Sequence, residues 1–159
     1  MSSLPVLVIS RDFFPGVGEL NGRRWAGKQL LESWAAASGE NPMVLGHVQP
    51  SELETILPLL REAGLKGPLY GLGLIDPTHY VKWGGLFLPD PSIGRWAQWR
   101  LQSSPASFSL IGQIHTLSTP AVLGHLQDLV SEPVEPWDAI ICSSSAGRNV
   151  VEDVMNDRQ

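Results

Sequence analysis

The chain has 159 residues, 43% of them apolar, which suits one domain with a substantial core. Its formal net charge of -5 speaks against a nucleic-acid partner, which needs a basic face. The single cysteine, Cys142, excludes an internal disulfide and a Cys-rich zinc module, and four scattered histidines lack metal-ligand spacing.

Residues 5–10 (PVLVIS) form a short β-branched apolar run, read as a buried strand. The preceding residues lack the basic lead of a secretory signal. The loop that follows holds Pro15, Gly16, Val17, Gly18 and Gly22. Such glycines let backbone N–H groups approach a ligand at a helix N-terminus, and a plain flexible turn reads equally well. The spacing misses the dinucleotide pattern by one residue. A helix over 23–38 follows, with Ala26, Leu30 and Trp34 four apart, stopped by Gly39 and Pro42.

MVLGHV (43–48) reads as the second strand. Ser51 and Glu54 form a capping-box pattern, Leu53, Ile56, Leu57 and Leu60 follow at helical spacing, and Gly64 suits the residue after the helix. GPLYGLGL (67–74) is a third strand. Residues 75–107 break the rhythm and read as a loop, then a helix near 93–103. Its Trp96 and Trp99 either pack that helix on the sheet or offer an aromatic platform to a sugar or lipid.

FSLIGQIH (108–115) is the fourth strand, ending in His115 and Thr116. A histidine at that exit can hydrogen-bond a hydroxyl or phosphate, or simply a neighbouring loop. Thr119 and Pro120 open a helix with Val122, Leu126, Leu129 and Val130 on one face. DAIICS (138–143) is the fifth strand, within which Cys142 reads as a buried, inert thiol that fits a reducing cytoplasm. Ser143, Ser144 and Ser145 then cap the last helix, near 145–156, or face a cleft together with Arg148. No apolar run approaches the roughly 18 residues of a membrane span, which leaves room for peripheral membrane contact.

This alternation predicts one α/β domain over residues 1–159. It is a three-layer Rossmann-like fold with a five-stranded parallel sheet, order 3-2-1-4-5, and helices on both faces. Ligands of such sheets bind at the carboxyl ends of the strands.

The stretch FSLIGQIHTLSTPAVL, with EPWDAIICSSSAGRNVVEDV after it, resembles the N-terminal half of retaining glycosyltransferases of the family-4 type, which have a two-Rossmann (GT-B) fold. There a strand ends in a histidine, often followed by Thr or Asp, and a later strand reads D-x-I-I-x-x-S. Here those positions are His115, Thr116, and Asp138 through Ser143–Ser145. The resemblance implies an acceptor-side domain, with His115 as the catalytic-site residue bonding the transferred sugar. Gly16, Val17, Gly18, Thr116, Ser144 and Arg148 would contact substrate. It implies a nucleotide-sugar donor, a separate acceptor, and neither metal nor other cofactor. The family's donor-binding half has no counterpart in these 159 residues, so the isolated chain is expected to be inactive. The rival readings are a stand-alone nucleotide- or cofactor-binding Rossmann domain and a non-catalytic interaction module.

Overall fold

The computed structural model describes residues 4–9, 22–46, 48–73 and 75–156, with only the backbone described at 22–24. By contact, the chain falls into two compact units, Met1–Ile75 and Asp76–Gln159.

The first unit holds β1 (Val6–Val8), α1 (Gly22–Ser38), β2 (Met43–Gly46), α2 (Pro50–Glu62) and β3 (Leu69–Leu72). All three strands are parallel, in the order β3-β2-β1. Every residue of β1 and β2 is buried, as continuous apolar runs in a parallel sheet require. α1 buries Gly27, Leu31, Ala35 and Ser38. Its inward face is therefore one residue round from the expected Ala26, Leu30 and Trp34, which are only half-buried. α2 begins earlier than the Ser51 cap predicts. Pro50 takes the first helical position, and the N–H of Gln49 donates to Glu52 Oε2 at 2.9 Å. Gly64 follows the helix with φ +106°, and the Leu65 N–H reaches back to the Leu60 carbonyl at 3.0 Å.

The second unit holds a 3-10 turn (Pro77–Trp83), β4 (Gly85–Leu88), α3 (Ile93–Arg100), β5 (Ser109–Ile114), α4 (Pro120–Ser131), β6 (Ala139–Cys142) and α5 (Ser145–Asn156). These strands are also parallel, in the order β4-β5-β6. The described strands thus number six, which corrects the expected five. The addition is β4, four residues inside the segment read as a loop. Gly84 at φ +74° turns the chain into it, and pairing with Ser109–Gly112 completes its hydrogen bonds.

Side chains alternate across β5, with Leu110, Gly112 and Ile114 buried and Ser109, Ile111 and Gln113 half-buried. α3 and α5 sit on the buried side. Ile93 of α3 closes over Gly112, and Gly147 of α5 lies over Ile114 and Cys142. On the other side of β6, Ala139 and Ile141 are exposed, so among the described residues helices cover one face there, where both were expected. Tyr80, Trp96, Trp99 and Phe108 form an aromatic cluster, with Tyr80–Trp99 and Trp96–Trp99 edge-to-face at 5.3 and 5.4 Å. The two tryptophans therefore pack α3, the first of the two readings.

α3 and α4 cross closely at Gly94. A Cβ there would lie 2.7 Å from Asp128 Cβ and 2.9 Å from its carbonyl oxygen. Gly94→Ala should force the helices apart and cost about 1–3 kcal/mol, read by denaturant unfolding.

The strongest tie in this unit is Arg100 with Asp138, both side chains fully buried. Arg100 Nη1 donates to Asp138 Oδ1 at 2.7 Å and Nη2 to Oδ2 at 2.9 Å. The same nitrogens also donate to the carbonyls of Phe108 and Pro133. The carboxylate further accepts the N–H groups of Leu110 and Glu135. One buried pair thus joins the end of α3 to the entrances of β5 and β6. Asp138, part of the motif carrying the resemblance, serves the fold.

Candidate functional site

The carboxyl ends of β4, β5 and β6 present a row of polar groups, and the strand register explains why. Leu88 pairs with Gly112 and Ile114 with Cys142, so the residues leaving each strand emerge beside one another. The Gln113 N–H reaches the Asp90 carbonyl at 3.2 Å, which carries Asp90 alongside the end of β5. Ser143 Oγ donates to the Ile114 carbonyl at 2.8 Å, which holds the exits of β5 and β6 together.

His115 leaves β5 on the exposed side of this edge. No hydrogen bond ties its ring to another described residue. Partial desolvation lowers its pKa below the ordinary histidine value, and the nearby Asp90 carboxylate opposes that shift. The ring is therefore neutral at pH 7, able to donate through one nitrogen and accept through the other. A histidine with a depressed folded pKa contributes stability that is complete above the unfolded value of about 6.5 and is lost as pH falls through the folded value. Imidazole NMR titration should thus place the His115 midpoint below the ordinary histidine value of about 6.5. A midpoint at or above that value would contradict this.

Thr116 is exposed, and its Oγ1 shares a 2.6 Å hydrogen bond with Ser118 Oγ while accepting the Ser118 N–H. Its hydroxyl shapes the exit loop that leads to α4. Ser144 caps α5, its Oγ accepting the Gly147 N–H at 3.1 Å, which leaves its own hydroxyl hydrogen to donate. Arg148 lies one turn further on, exposed and bonded through Nε to Glu152 Oε1 at 2.6 Å. Gly16, Val17 and Gly18 lie outside the described residues, as does His47.

Asp90 and Ser118 belong to this edge and were not read from the sequence, whereas Ser143 was read there with Ser144 and Ser145. Asp90 follows GLFLP, so recognising β4 would have placed it at a strand exit. Among the described residues, no three His, Cys, Asp or Glu side chains group as a metal site would need. None of the described helices is long and apolar enough to cross a membrane. No family model matches the chain, and neither a curated protein nor a solved structure matches it.

Proposed function

We propose that this chain is the acceptor-side domain of a retaining glycosyltransferase and that the edge bearing His115 holds the sugar. The observation that carries the reading is the chemistry of that edge. It offers a neutral imidazole, the Asp90 carboxylate and the hydroxyls of Thr116, Ser118, Ser143 and Ser144. Sugar hydroxyls donate and accept at once, and neutral donors and acceptors beside one carboxylate complement them. A phosphate asks instead for several free cations, and at this edge Arg148 is paired through Nε with Glu152. The parallel sheet with a histidine at a strand exit is also the arrangement on which the resemblance rests. Gln49 at the exit of β2 starts α2, where a dinucleotide-binding domain would place an acidic residue.

Two titrations of the chain test this reading. Methyl hexosides should shift the His115 and Thr116 resonances selectively. Uridine-, guanosine- and adenosine-diphosphate sugars should show no micromolar affinity in calorimetry, where such a Kd corresponds to about -8 kcal/mol. Micromolar binding of NAD or ATP would replace the proposal with the cofactor-binding reading. Resonances at the edge that respond to no sugar would remove it.

A further inference from the structure

We propose that β6 is the dyad edge of a homodimer, in which the strand pairs antiparallel with β6 of a second copy. β6 pairs with β5 on one side, and no described strand lies on its other side. The Ser143 N–H points to Ile114 of β5. By the alternation of a strand, Ala139 and Ile141 also bond toward β5, and Ile140 and Cys142 turn their N–H and C=O groups outward. Two outward residues flanking one inward residue form a self-complementary pattern. Ile140 pairs with Cys142 of the second copy, the reverse pair forms by symmetry, and Ile141 meets its own counterpart on the dyad.

The side chains on both faces suit that pairing. On the helix-free face, Ile141 is 45% exposed. Edges that must remain single carry charges, Pro or bulges, and Ala139–Cys142 has none of these. On the helix-covered face, an open groove of about 460 Å³ runs beside the strand, walled by Ile140, Val151, Met155, Val134 and Pro136, with Glu135 and the buried Asp138 also in its lining. Met155 of α5 is 46% exposed there. A four-residue strand alone falls short of the roughly 800 Å² per partner of a stable interface, and the groove and α5 supply further apolar surface.

Charge does not oppose a second copy at this edge. The chain carries a net charge of -5, so copies repel unless the contact is neutral or self-complementary. The helix-free face beside the edge presents Ser109, Ile111, Gln113, Ala139 and Ile141, none of them charged.

Sedimentation equilibrium across a concentration series should show a monomer–dimer equilibrium. Ile141→Lys places two ammonium groups opposite each other on the dyad and should raise the dimer Kd at least about 10-fold. Should Ile141→Lys lower the melting temperature, Met155→Glu at the groove carries the same expectation. In a Cys142→Ser background, Ile141→Cys should form an intermolecular disulfide on mild oxidation, because opposed residues of a non-hydrogen-bonded pair lie about 4.5 Å apart. A monomer at every concentration overturns the proposal, as does binding of a different protein's strand at this edge. A dimer indifferent to Ile141→Lys and Met155→Glu, or one that Ile141→Cys does not cross-link, overturns it too.

Discussion

Arg100→Met should be the most damaging single substitution in the second unit, costing about 3–5 kcal/mol. Methionine fills the stem's volume but leaves the Asp138 carboxylate buried without its cation. It also strips donors from the carbonyls of Phe108 and Pro133. Asp138→Asn keeps an amide oxygen that can accept one of the N–H groups of Leu110 and Glu135, but its NH2 faces the other donors and Arg100 is left buried without its anion. The melting temperature of Arg100→Met should fall by about 6–20 °C, at roughly 2–4 °C per kcal/mol for a chain of this size. The double variant Arg100→Met with Asp138→Leu should cost less than the singles Arg100→Met and Asp138→Leu summed, because no unpaired charge remains inside. Thermal melts of the four proteins give the cycle. Strict additivity would show that the pair contributes no mutual stabilisation.

His115→Ala should act on the opposite quantity. In an enzyme carrying this domain, loss of a bond that strengthens as charge develops should slow kcat by about 10²–10³-fold. The melting temperature should barely move, since the ring is exposed and bonds to no other described residue. A histidine with a structural role behaves otherwise: its removal leaves a buried partner unsatisfied at about 1–3 kcal/mol, while turnover per folded molecule holds. Asp90→Asn separates direct from indirect effects. It removes the charge that raises the His115 pKa, so the imidazole midpoint should fall further. Unchanged kcat in His115→Ala with a lowered melting temperature would withdraw His115 from the sugar site.

The elements legible in the sequence are those governed by local signals. Thr119 and Pro120 mark the start of α4, Gly64 the end of α2, and α5 spans the residues its apolar spacing predicts. The exits bearing His115 and Ser144 were legible for the same reason, since a strand followed by a helix can be read residue by residue. β4 was not, because four apolar residues between glycines and prolines look like a loop until a neighbour supplies their hydrogen bonds. Asp90 was lost with it.

What the sequence alone determined is the parallel α/β class, the order of helices and strands apart from β4, and the polar character of two strand exits. These follow from apolar periodicity and capping chemistry, which act within a few residues. The tertiary structure decided which side of α1 turns inward, because packing against α2 and β2 selects the stripe from Gly27 to Ser38 over its neighbour. It decided that Trp96 and Trp99 belong to a packed aromatic cluster and that Ser144 caps a helix. It also decided that Asp138, 38 residues from Arg100, is a buried counter-ion. Each of these depends on a partner distant along the chain, and a contact of that kind leaves no local pattern to read.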